Sequence, residues 1–252
     1  KQSDDGKTYT FELDGKAHFH DGTPVTAKDV EYSFARLLRL KQGPAWMLSG
    51  ILDVDSVKAT GDMTVTMSLR KPFAPLLSVL PWMFVVNSKV VEANVGSDDG
   101  QTYLRTTIAG SGAFRVGRVR PGDLYELLRV ENDWHQGGNI QGVIWKIVRE
   151  ASTTRLLLQR GEVHFALDLF AEDMEALKGM PHVVRIMEQD YRSFPIKMNT
   201  AKGPLADKNL RKAISYAYNY QAMLDAGGPA KLMQGPLPAG MFGFDKDLKV
   251  YR

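Results

Sequence analysis

Two imidazoles and a carboxylate stand within four residues, His18, His20 and Asp21, in the stretch AHFHDG. Histidines at i and i+2 of an extended segment point to the same side, so this pair has the spacing to share a divalent metal. A closed shell needs a third and a fourth ligand. His135, His164 and His182 lie in unrelated segments without paired spacing, and H-E-x-x-H does not occur. The residues therefore favour a hairpin edge and a tight turn that starts a helix, with no metal and no cofactor. Covalent and phosphate chemistry finds no better footing. There is no G-x-S-x-G, no P-loop and no G-x-G-x-x-G, and Ser111 sits between Gly110 and Gly112 without the rest of a nucleophile elbow. The absence of cysteine removes thiolate ligands, thiol nucleophiles and disulfides together.

Composition bounds the remaining classes. The chain has 252 residues, 44% hydrophobic and 24% charged, enough for one large or two medium cores. Its 32 basic and 29 acidic residues are interspersed, so nothing in the pattern is a footprint for nucleic acid. No apolar run approaches the length of a bilayer span. The opening KQSDDGK has neither initiator methionine nor leader, and is expected to be a processed or recombinant start.

Around the histidines, the elements that must position them follow from periodicity. TYTFEL alternates as a strand, Asp14–Gly15 turns, and KAHFH resumes extended structure. Thr26 and Asp29 have capping-box spacing, and Val30, Phe34, Leu37 and Leu38 form one stripe, predicting a helix from about Ala27 to Leu40. Gly61–Asp62 between two alternating runs predicts a two-residue hairpin of type I′ or II′. PFAPLLSVL is a short apolar helix opened by Pro72, NVGSDDGQT is a loop, and IAGSGAF is a small-residue chain crossing. AFRVGRV and LYELLRV are strands joined by the Arg120–Asp123 turn. TTRLLLQRGEVHFAL reads as a helix stopped by Gly161 and followed directly by a strand, and FAEDMEALKGM as a second helix. LADKNLRKAISYAYN reads as a helix capped by Asp207 and packed on a sheet through Leu210, Ala213, Ile214 and Ala217. The whole is a mixed α/β chain.

Taken in order, YTFELDGKAHFHDGTPVTAKDVEYSFARL, GSGAFRV with PGD and ENDWHQGG, LLLQRGEVHFAL, IKMNTAKGPLADKNLRKAISYAYN and GPLPAGMFGFD resemble landmarks of a known family. They are similar to those of the extracellular solute-binding proteins of bacterial ABC importers, which include peptide, dipeptide and nickel binders. The resemblance implies a periplasmic-binding-protein-like fold of type II with an accessory domain, and a chain that is truncated relative to family members. By resemblance, residues 1–108 form the accessory domain of lobe I, 109–189 part of the lobe I core, and 190–252 a hinge-crossing strand, YRSFPIKMN, and the start of lobe II. It further implies a monomer without enzymatic activity that captures a peptide or other small solute between two lobes and delivers it to an ABC permease in the inner membrane. The location implied is periplasmic or extracellular, lipid-anchored in a Gram-positive host. The alternatives are a sensory or chaperone-like interaction module on the same fold and, third, a metal-dependent enzyme.

Six residues are the candidates for ligand contact. Trp46 and Trp82 lie in loops that contain glycine or proline, and an indole offers an apolar face and an N–H donor to a small solute. The competing expectation is that both indoles pack into the accessory core. Phe194 and Lys197 on the crossing strand, and Asp168 and Phe170 after GEVHFAL, are chosen by resemblance and location. Trp134 is expected to be a packed anchor rather than a ligand contact.

Overall fold

The computed structural model describes residues 1–131, 134–135, 138–167, 169–186, 191, 193–227 and 230–248. Alternation in β1 (Thr8–Glu12) and β3 (Thr64–Ser68) pairs these strands antiparallel, with Tyr9 opposite Met67 and Phe11 opposite Val65. β2 (Val57–Ala59) pairs with the other edge of β3, giving the order β1-β3-β2. Against this sheet lies α1 (Ala27–Leu40), which buries Ala27, Val30, Phe34 and Leu38 together with Val57, Val65 and Met67. The helix bounds match those that the stripe predicted. Its cap also forms, because the Asp29 carboxylate accepts the Thr26 backbone N–H at 2.9 Å.

Two local expectations are corrected here. The β2–β3 hairpin turns through three residues, Gly61, Asp62 and Met63, since Ala59 faces Val65 and the Thr60 N–H donates to the Thr64 carbonyl. Neither Gly61 nor Asp62 has a positive φ, so the turn is not of a primed type. The loop is held instead by tertiary bonds: the Asp62 carbonyl accepts from Ala27 N–H and the Met63 carbonyl from Leu13 N–H. The short helix α2 (Leu76–Val79) starts after Pro75, not at Pro72. A residue that precedes proline is kept from helical angles, so Ala74 stays outside the helix and the second proline sets the start. A 3₁₀ turn, Leu80–Trp82, follows, then α3 (Ser88–Ala93), capped by Asn87, and α4 (Gln101–Leu104).

β4 (Phe114–Arg120) and β5 (Leu124–Arg129) pair through the expected Arg120–Asp123 turn, where the Asp123 N–H donates to the Arg120 carbonyl. β6 (Gly142–Lys146), which the sequence reading did not assign, adds to the free side of β5. The chain divides into two compact units, Lys1–Ile147 and Val148–Arg252, and both sheets belong to the first.

Within the second unit, α5 (Ala151–Gln159) ends before Gly161, whose φ of 69° is left-handed, and α6 (Ala171–Ala176) joins α5 through an Arg155–Asp173 ion pair at 3.3 Å. α7 (Lys208–Ala217) carries the predicted cap, Asp207 accepting the Asn209 N–H at 2.7 Å, and α8 (Tyr220–Gly227) follows. The strands expected at GEVHFAL and YRSFPIKMN are absent among the described residues, because extended segments become strands only when a partner supplies the ladder. For the same reason α7 has no sheet beneath it among the described residues of this unit, and Leu210 and Ala213 are exposed.

Candidate functional site

The histidine turn is built as the alternation implied, with different chemistry at each ring. A His18–Pro24 bridge and the Gly22 N–H to Phe19 carbonyl bond close the turn. His18 Nδ1 donates to the Lys16 carbonyl at 2.6 Å, whereas His20 Nε2 donates to the Gly112 carbonyl at 2.8 Å across the junction between the two sheets. A ring nitrogen that donates to a carbonyl has no lone pair left for a metal, so each histidine keeps one coordinating nitrogen at most. Among the described residues no group of three His, Cys, Asp or Glu side chains is placed to hold a metal ion.

Asp21 and Asp29 bind the turn to α3. Asp21 takes the Thr23 N–H and hydroxyl on one oxygen and the Asn87 amide, at 2.9 Å, on the other. Asp29 uses Oδ2 for Thr26 and Oδ1 for the Ser88 N–H and hydroxyl. Burial pushes both carboxyls up, but the hydrogen bonds from Thr23 and Asn87, and from Thr26 and Ser88, outweigh it, so both are held below the ordinary aspartate value. Ser111 accepts the Trp134 indole N–H at 2.8 Å through its carbonyl, and the indole lies against the His135 ring, tilted by 34° with centroids 3.7 Å apart. Trp134 is half-buried, as expected of an anchor. It lines a cavity of about 260 Å³ with His18, His20, Ser111 and Glu131. Three side-chain donors there, His18 Nδ1, His20 Nε2 and the Trp134 indole N–H, are taken by the chain's own carbonyls, so these bonds fix the chain crossing.

The tryptophans present the opposite picture. Trp46 belongs to a 3₁₀ turn, Gly43–Leu48, in which Ala45 and Leu48 are buried while the indole is 72% exposed. Trp82 ends the Leu80–Trp82 turn and is 59% exposed beside buried Met83. Leu48 and Met83 belong to one core cluster, so both indoles stand outward from the same rigid body. The expectation that they pack into that core is overturned: a 3₁₀ turn eclipses residues i and i+3, and inward Ala45 and Leu48 leave Trp46 no inward place. Phe170, Phe194 and Lys197 are also exposed, in the second unit, and Asp168 lies outside the described residues. Sequence reasoning missed Leu77 and Phe84, 60% and 79% exposed. In LLSVLPWMFVV no periodicity separates inward from outward residues, and only the interruption by Pro81 hints at a turn.

The family model described as "Bacterial extracellular solute-binding proteins, family 5 Middle" matches residues 1–252. The chain belongs to this family. It is 37% identical over its whole length to the Escherichia coli K12 protein named "Probable D,D-dipeptide-binding periplasmic protein DdpA", of which it covers 49%. It is 26% identical, over 94% of its length and 46% of the relative's, to the glutathione-binding protein GsiB of Pectobacterium atrosepticum. Among solved structures, periplasmic DppA of Helicobacter pylori in complex with the peptide STSA superposes with a TM-score of 0.81 at 21% identity, covering 100% of this chain and 53% of that one. NikZ of Campylobacter jejuni with Ni(L-His) gives 0.75 at 20%, covering 88% and 44%. These establish the periplasmic-binding-protein fold expected from the landmarks. This family 5 chain spans about half the length of the curated relatives it matches.

Proposed function

We propose that this chain is part of the solute-capturing component of an ABC importer, that its solute is a peptide, and that Trp46 and Trp82 form one wall of the binding cleft. The observation that carries the reading is the pair of exposed indoles, held rigidly on 3₁₀ turns over a single core, in a family whose relatives are named for peptides and other small solutes. Buried aromatics stabilise cores, but exposed aromatics on rigid turns cost solvation unless something covers them. Phe170, Phe194, Lys197 and Asp168 are proposed as further contacts. The protein works as a monomer outside the cytoplasmic membrane, periplasmic or extracellular, tethered by lipid in a Gram-positive host, with an inner-membrane permease as partner. It performs no catalysis.

Residues 1–108 serve as the accessory domain, 109–189 as part of the lobe I core and 190–252 as the hinge crossing and the start of lobe II. The change from one sheet to the other between Ser68 and Phe114 supports the first boundary. Mass spectrometry of solute released on denaturing the full-length protein, followed by tryptophan fluorescence as that solute is added back, tests the reading. A released peptide that shifts the emission supports it. A protein that carries no solute, and whose emission no peptide mixture alters, overturns it.

A further inference from the structure

The segment from Leu76 to Val86 is apolar throughout except for Ser78, and the fold splits it into two sets of side chains. Leu76 and Met83 are buried in the α1 core, Leu80 and Val85 pack partly against it, and Leu77, Trp82 and Phe84 stand in solvent. The backbone that presents them is fixed at several points. Met83 N–H donates to the Leu80 carbonyl at 2.9 Å, and Val86 N–H donates to the buried Ser33 hydroxyl at 2.9 Å. A rigid surface with three large apolar side chains outward is a binding surface rather than a loop tip. Lys71 and Lys89 flank the segment and are exposed, Lys71 next to the Arg70–Asp53 ion pair and Lys89 three residues before Glu92 on α3, so charge of both signs borders it.

We infer that Leu77, Trp82 and Phe84 form a side-chain subsite that takes an apolar or aromatic residue of a peptide and discriminates against a charged one. This rests on the peptide-binding reading above and adds the class of side chain. Apolar contact rewards a Phe or Leu side chain by the area it removes from water. A charged side chain loses its hydration on such a surface, which places no carboxylate or cation to pair with it, so selectivity runs from apolar to charged. Trp82 alone would not produce this order, because an indole face also attracts cations. Leu77 and Phe84 make the surface broad and apolar.

Calorimetry on the full-length protein with Ala-Phe-Ala, Ala-Glu-Ala, Ala-Lys-Ala and Ala-Ala-Ala tests the assignment, in wild type and in Phe84→Ala. Phe84 is exposed, so its truncation leaves the fold intact, and far-UV circular dichroism checks this. The expected result is that Ala-Phe-Ala binds tighter than Ala-Glu-Ala and Ala-Lys-Ala, and that Phe84→Ala lowers affinity for Ala-Phe-Ala about tenfold, as loss of one apolar contact would, while Ala-Ala-Ala changes less than about twofold. An equal loss for both peptides, or none for either, overturns the subsite and leaves peptide binding standing. If none of the four peptides binds, the peptide reading falls and the subsite with it. Ala-Lys-Ala or Ala-Glu-Ala binding as tightly as Ala-Phe-Ala overturns the apolar preference.

Discussion

Replacing Asp29 by alanine removes the acceptor of four hydrogen bonds, two from Thr26 at 2.9 and 2.7 Å and two from Ser88 at 3.0 and 2.7 Å. The residue is only 5% exposed, so water does not replace them. Loss of the α1 cap costs about 1 kcal/mol. On the α3 side, bonds to a charged acceptor are worth roughly 1.5–3 kcal/mol, and their loss leaves the Ser88 N–H and hydroxyl without a partner. The expected destabilisation is about 3 kcal/mol at pH 7, read by urea denaturation as a lower midpoint at unchanged slope. Its pH dependence is a second, independent check. The carboxyl pKa is lowered in the folded protein, burial being outweighed by the Thr26 and Ser88 bonds. A lowered folded pKa contributes stability that is present above the unfolded value and is lost as pH falls through the folded one. The gap between wild type and Asp29→Ala is therefore complete at neutral pH and narrows below the ordinary value of 3.8. A difference below about 1 kcal/mol at pH 7, short of the cap term alone, would refute the bookkeeping. So would a gap that stays the same at pH 7 and pH 3.

Trp46→Ala and Trp82→Ala should each weaken solute binding to the full-length protein by about 1–3 kcal/mol by calorimetry, with melting temperature unchanged, because neither indole supports the core. Wild-type affinity in both variants would remove them from the cleft. Gly100→Ala should destabilise by roughly 1–3 kcal/mol in thermal melts, since φ is 73° there and a Cβ would lie 2.9 Å from the Val91 Cγ1 atom, in a fully buried side chain. Dialysis against zinc or nickel should leave no stoichiometric metal on the protein by atomic absorption; a full equivalent that disappears in His20→Ala would overturn the expectation that the histidine turn holds no metal. His20→Ala should instead lower stability by about 1 kcal/mol in urea, the worth of one hydrogen bond to the Gly112 carbonyl.

What the sequence determined by itself is what depends on neighbours within a few residues. The α1 bounds, the Thr26–Asp29 cap, the Asp207 cap on α7, the Gly161 stop and the Arg120–Asp123 turn each rest on periodicity or on one side chain reaching its own backbone. The ordered landmarks also carried the family, because several short motifs in sequence order are specific where one is not. Tertiary structure alone decided which way Trp46, Leu77, Trp82 and Phe84 face, since an apolar run has the same composition whether it points inward or outward. It decided the shape of the Gly61–Met63 turn, which Ala27 and Leu13 hold from outside the hairpin. It decided the partners of His18 and His20 as well: their shared face on an extended segment says nothing of a carbonyl 92 residues further along the chain, to which His20 Nε2 donates. Strand-like segments at GEVHFAL and YRSFPIKMN mark the same boundary, because alternation is a local property and a β-ladder requires a second strand.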